Sequence, residues 1–480
     1  MALQTVQNQL WVQTLSMLSG IIMFTTESYR FFRHRLLASI FVMSVLVYSK
    51  ELLGVNVSQL HYTVAIALCY LFLNTSDSFS FFLFLSAFSG GFPVYANCVL
   101  FSLCYLYGRY KRNGIIIKRS IFWSILLLGS CEIVMSMVSA FLGYPESIVK
   151  TFGYILVLTT ITLCVTDSIE GVSIKRIVLS FAFGLIYCSI IIMIRDVLQH
   201  GIITMISEGQ RFGRAYLDYN IKQYNENKIM MYNPNTVGYY VVTVFPALLL
   251  MLEYERDRLY RIMYQVFIFI VLFFGFLSLS RTFVLTLAIV CLFYVLWTAK
   301  NIKKFVNLTL SIIAIILVLL LIIPNQYLQL LIDAFSTRFE AESDSITGNR
   351  LEIILEYIAA MNNKPWTYLF GVGMQDYRAK FGIQLMMVHN SIFEIIIMWG
   401  FLGLLLFCIW LITVWNNVYG QGSNARNKKA LLPLLGFVIF SQSQQFLSGY
   451  YQHLPIFLFC MFVIKYNPAN SRSVIMRDAT

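Results

Sequence analysis

Charge is scarce in this chain. Asp, Glu, Lys and Arg make up 12% of its 480 residues, and the mean hydropathy is +0.72, whereas a soluble globular domain is roughly a quarter charged. That scarcity excludes an ordinary water-soluble enzyme. The long apolar runs also lack strict apolar–polar alternation, which removes a membrane β-barrel. No pair of cysteines stands in a polar loop. The nine cysteines, Cys69, Cys131, Cys291 and Cys460 among them, lie inside or at the edges of apolar segments. They read as small buried hydrophobes, with no disulfide framework and no zinc site expected. There is no G-x-x-x-x-G-K-S/T loop for a nucleotide and no D-x-D in a loop, as a metal-dependent sugar-nucleotide enzyme would carry. His34, His61, His200, His389 and His453 are scattered, with no metal-ligand cluster. No cofactor or metal is expected. The opening "MALQTVQNQLWVQTL" lacks the basic start of a cleavable signal peptide, so its first apolar segment is expected to remain as a span.

What is present is length. Apolar runs of 15 to 22 residues recur from end to end, the reach needed to cross about 30 Å of hydrocarbon as helix. The expectation is an all-α polytopic membrane protein of about 12–14 transmembrane helices, one membrane domain over 1–480. Spans are expected near 121–142, 147–166, 177–197, 233–253, 262–279, 282–299, 305–323, 389–414, 431–447 and 452–465. Before them, 9–27, 36–54, 60–74 and 92–108 are plausible spans, and "FSFFLFLSAFSGGFPVYAN" reads as a short or re-entrant piece.

The formal charge of +12 does not point to nucleic acid, because the basic residues concentrate in short loops between apolar runs. These are "YRFFRHR" (29–35), "RYKRNGIIIKR" (109–119), "YERDRLYR" (254–261), "KNIKK" (300–304), "NARNKK" (424–429) and the tail with Lys465, Arg472 and Arg477. Basic loops stay in the cytoplasm, which puts the C-terminus there as well. Two substantial segments are then left outside, 198–232 and 324–388. Within the second, "NRLEIILEYIAAMNNKP" predicts an amphipathic helix at about 350–363, capped by Asn349 and stopped at Pro365. "GVG" at 371–373 supplies a tight turn.

Few residues can do chemistry, and most of them are cations on the outer side. Arg281 is the only charge in the 38-residue run 262–299 and falls where two spans meet. A cation there is expensive without a partner, although it can also snorkel to lipid phosphate. Arg211 and Arg214 in "QRFGRAYLDYN", and Arg338, Arg350 and Arg378 in the longer segment, suit bidentate phosphate binding or a solvated basic loop. Asn235 can orient a sugar hydroxyl or cap its helix. Glu132, mid-span, binds substrate, relays protons, or simply hydrogen-bonds a neighbouring helix. Glu394 shares the face of Asn390 one turn into a span. His389 stands at the mouth of that span, as a general base for a hydroxyl or as the mere neighbour of a capping Asn390.

The order of these pieces is informative. "QRFGRAYLDYN", then "NPN" opening a span, "SLSR" between spans, "TGNR" and "NKPWTYLFGVG", and finally "HNSIFEIIIMWGFLG" together resemble the bacterial O-antigen ligase and polymerase family over roughly residues 205 to 410. The resemblance implies a metal-independent glycosyltransferase of C-type membrane fold at the outer face of the bacterial plasma membrane. Its donor would be an undecaprenyl-diphosphate-linked glycan. It also implies that Arg211 or Arg214, with Arg281, holds the diphosphate, that His389 acts on the acceptor hydroxyl, and that Arg350 and Asn390 support them. Two Arg-bearing outer segments suit two diphosphates and so favour a polysaccharide polymerase, with a chain-length regulator as a possible partner. A ligase that passes the glycan to another acceptor is the alternative. A lipid-linked oligosaccharide flippase is the rival from another class, disfavoured because no repeated halves are visible.

Overall fold

The structure, a computed structural model, describes residues 34–88, 93–114, 116–144, 147–167, 169, 172–200, 234–278, 280–298, 329, 333, 350–383, 388–419, 428–443 and 450–466. Among these residues every regular element is helical. In chain order they are α1 (His34–Glu51), α2 (Gln59–Phe72), α3 (Thr75–Ser86), α4 (Val94–Asn113), α5 (Arg119–Phe141), α6 (Ile148–Thr166), α7 (Ile174–His200) and α8 (Pro234–Tyr254). There follow α9 (Arg258–Leu277), α10 (Arg281–Thr298), α11 (Arg350–Asn362), α12 (Trp366–Phe370), α13 (Tyr377–Phe381), α14 (Ser391–Tyr419), α15 (Leu432–Ser441) and α16 (Tyr450–Lys465). The protein is an all-α, multi-pass membrane protein. Seven of the described helices, α5 to α10 and α14, are long and apolar enough to cross a bilayer, and α2 and α16 are shorter apolar helices. The spans expected at 9–27 and 305–323 lie outside the described residues.

Local sequence sets the helix starts. Ser58, Asn74, Ser147 and Asp257 each accept a backbone N–H with the side chain, opening α2, α3, α6 and α9, a device worth about 1 kcal/mol each. The core centres on α8, whose side chains are buried from Val237 to Met251. It is surrounded by α7, α9, α10, α15 and α16. Elsewhere in the bundle α14 packs on α5, with the short α12 laid against α14.

The bundle has two unlike ends. At one end the basic loops are tied down by carboxylates: Arg109 to Asp167 at 2.6 Å, Arg176 to Asp77 at 3.0 Å, Lys429 to Glu253 at 2.7 Å, and Lys175 to Glu255. Lys118 at the start of α5 meets Asn417 near the end of α14 at 3.2 Å, fixing those helices antiparallel. At the other end lie the Arg195–Glu51 pair at 2.9 Å and the segment 350–390 that leads into α14.

That segment is bolted to a break in α14. Gly400 has φ +67°, outside helical range. The break frees the carbonyls of Ile397 and Met398, which accept from Val372 N–H at 3.1 Å and Gly373 N–H at 2.7 Å. The backbones cross so closely that a Cβ on Gly371 would sit 2.2 Å from the Met398 carbonyl carbon, and one on Gly400 2.2 Å from that of Leu369. Only glycine fits both positions.

Candidate active site

The site forms at the end of the bundle away from the tied basic loops, where α8, α10, α11 and α14 all begin. Asn235 stands in the first turn of α8 and accepts a hydrogen bond from Ser280 Oγ at 3.0 Å. This joins the "NPN" and "SLSR" pieces across 45 residues. Ser280 also caps α10, accepting from Phe283 N–H at 3.4 Å, so Arg281 becomes the first residue of that helix. A cation at a helix N-terminus faces the positive end of the helix dipole. Arg350 opens α11. Burial, and after it the charge of Arg281, lower the basicity of its guanidinium.

His389 completes the group. It is half-buried just before α14; burial, and next the charge of Arg350, push its imidazole below the ordinary 6.5. Arg281, Arg350 and His389 are thus electrostatic neighbours, although up to 108 residues separate them in sequence. Asn390 is the N-cap of α14: its Oδ1 accepts from Ile392 N–H at 3.1 Å and Phe393 N–H at 3.0 Å, and its amide donates to the Gln442 carbonyl at 3.4 Å. Asn390 thus caps α14, next to the peptide that carries His389.

The remaining candidates separate. Arg378 is exposed, on α13 beside the buried Tyr357 and Tyr377. Arg211, Arg214 and Arg338 lie outside the described residues. Glu132 is fully buried; Trp399 Nε1 donates to it at 2.6 Å and Ser136 Oγ at 3.1 Å. Its observed partners are neighbouring side chains, as in the helix-bonding alternative. Through Ser136, Thr151 and Gln375 this polar line continues to the Ser147 backbone. It fastens α5 and α6 to the segment that carries the site.

Beside Glu394, which the sequence already placed on the face of Asn390, residues that sequence reasoning passed over now matter. Lys380 is buried, with Nζ donating to Val372 O at 2.7 Å and Ser139 Oγ at 2.9 Å. Glu394 is fully buried in the first turn of α14. On α11, Ile353, Tyr357 and Met361 are buried at a spacing of four, a signal that was legible as a helix face but carried no hint of chemistry. Among the described residues no three His, Cys, Asp or Glu side chains converge to hold a metal ion.

Residues 235–408 match the family model described as O-Antigen ligase. No curated protein and no solved structure matches the chain. The matched stretch begins at Asn235 and contains Arg281, Arg350, His389 and the Gly371–Gly400 crossing.

Proposed function

With residues 235–408 read as an O-antigen ligase family domain, we propose that the chain transfers a glycan from a lipid diphosphate, at the outer face of the bacterial plasma membrane, with its C-terminus in the cytoplasm. The observation that carries this is the meeting of like charges. Arg281 lies near enough to Arg350 to disfavour its charge, and like charges are assembled at such cost where an anion is to be held. A diphosphate is the anion that fits two guanidinium groups, and the polytopic bundle gives its lipid tail a place to lie.

The chemistry follows from the same residues. An acceptor hydroxyl gives its proton to the neutral His389 imidazole as its oxygen bonds to the anomeric carbon. The bond from that carbon to the diphosphate oxygen breaks in the same displacement, and the electron pair leaves with the lipid diphosphate. Arg281 and Arg350 stabilise the negative charge that builds on the leaving group, in a setting poorly screened by water. Arg211 or Arg214 would add a further phosphate contact from the segment before α8, with Arg338 and Arg378 as outlying cations. The bond broken already stores the energy, so the scheme needs no nucleotide, and the arginines are the groups that offset the developing charge.

We read the acceptor as the next lipid-linked repeat unit, which makes the enzyme a polysaccharide polymerase of O-antigen or capsule type, with a chain-length regulator as a partner. Two arginine-bearing outer segments support two diphosphates. The description of the matched family favours a second reading, a ligase with another acceptor. The deciding experiment supplies purified protein in nanodiscs with the undecaprenyl-diphosphate-linked repeat unit and resolves products by glycan size. A ladder of multiples, lost in His389→Gln and Arg281→Gln proteins, is expected. Transfer only after addition of another acceptor identifies a ligase. No transfer with either acceptor overturns the transferase reading in favour of a flippase.

A further inference from the structure

Immediately beside the cationic group lies a second set of side chains with the opposite character. Tyr357 on α11 and Tyr377 on α13 are fully buried, with ring centroids 5.6 Å apart. The Tyr357 hydroxyl and Oε2 of the adjacent Glu356 are buried without a hydrogen-bond partner, and the Tyr377 hydroxyl meets the backbone of Val388 but no polar side chain. A buried polar group left unmatched costs on the order of 1–3 kcal/mol, so such groups gathered in one place call for an explanation. Other unmatched tyrosine hydroxyls, those of Tyr239 and Tyr264 for example, lie inside the apolar bundle. These three gather instead at the site end, beside further carboxyl groups.

Their surroundings narrow what they can receive. Burial raises both phenols; Arg378 acts second on Tyr357, in the opposite direction, with Glu356, Asp376 and Glu394 adding to the rise. Glu394 is the second cause for Tyr377. Both phenols therefore stand near the Glu394 carboxyl, and Tyr377 also lies against the backbone of Val388, the residue before His389. Asp376, which presents Tyr377, is held at φ +40°, a left-handed conformation unusual for a residue with a side chain. Carboxylates repel a phosphate. The nearby Arg350 and Arg378 repel a cation. A neutral ligand rich in hydroxyl groups matches what is left, because its O–H groups donate to Glu356 and accept from the phenols.

We propose that Glu356, Tyr357, Tyr377 and Glu394 form a subsite for the hydroxyl groups of a sugar, the one whose own hydroxyl reaches His389. This deepens the transferase reading and rests on it: the site has a cationic half for the diphosphate and a phenol-and-carboxylate half for the acceptor glycan.

The test uses the full-length protein in nanodiscs and two probes that each occupy one half. One is the repeat-unit oligosaccharide cleaved from its lipid and free of phosphate, and the other is inorganic pyrophosphate. Binding of both is measured by titration for wild type, Tyr377→Phe, Tyr357→Phe and Glu356→Gln. Each variant is expected to bind the oligosaccharide roughly fivefold to tenfold more weakly, the worth of one hydrogen bond. Pyrophosphate affinity should not change. The thermal midpoint should hold or rise in the two Phe variants, each of which removes a buried hydroxyl that no side chain satisfies, and should hold in Glu356→Gln, which keeps the shape of the side chain. Wild type that fails to bind the oligosaccharide, variants that bind it normally, or variants that lose both probes with a lowered midpoint would each overturn the subsite. Differential binding without glycan transfer would keep the subsite and sink the transferase reading, whereas transfer with unchanged oligosaccharide binding would do the reverse.

Discussion

At the scale of single residues, the site is a matter of where unwelcome charges are tolerated. His389 is held below the ordinary imidazole value by burial first and by Arg350 second. The sign of the consequence is definite: a lowered value keeps the imidazole neutral, and able to accept a proton, to more acid pH than a free histidine. Glycan transfer should therefore stay level from neutrality through pH 6.5 and fall only below it. In Arg350→Gln the acid limb should move to higher pH as the rate drops, which a pH–rate profile of both proteins checks. His389→Gln should lose on the order of a hundredfold or more, as removal of a general base does. Arg281 and His389 were legible in the sequence because a lone charge or imidazole stands out against an apolar run. Tyr357 and Tyr377 were not, because a tyrosine on a buried helix face looks like any core aromatic until its hydroxyl is seen to lack a side-chain partner.

At the scale of elements, long spans were the most legible feature, since their ends are marked by charge and capping residues. Arg281 at the turn between α9 and α10 followed from the length of a single run. The turn at "GVG" was readable too, but its purpose was not. Its hydrogen bonds go to a helix break at Gly400, about thirty residues on, and nothing local to either stretch announces the other. Gly400→Ala forces a side chain into the left-handed region and into the Leu369 backbone at once. A destabilisation of about 2–5 kcal/mol is expected from strain and overpacking together. Gly143→Ala, also at positive φ but in open space, should cost only the conformational part. Thermal midpoints of the two purified variants separate the contributions.

At the scale of the whole molecule, the two unlike ends of the bundle make the proposed orientation in the membrane testable. The end with Arg109, Arg176, Lys175 and Lys429 is secured by carboxylate partners, and basic loops remain on the cytoplasmic side. Cysteine placed at the exposed Asp376 should then react with a membrane-impermeant maleimide on intact cells, above the background of the native thiols. Cysteine at the exposed Arg112 should react only after the membrane is opened. The reverse pattern would remove the outer-face reading entirely. The bolt between 371–373 and the break in α14 has a further consequence, for affinity. Ordering a loop costs about 1–2 kcal/mol per residue in lost conformational freedom. The strand of chain that offers Tyr357, Tyr377 and Lys380 is already fixed to α14 by two backbone hydrogen bonds and to α5 by a buried ammonium. That entropy is lost on folding, so a glycan arriving at the site need not supply it from its own contacts.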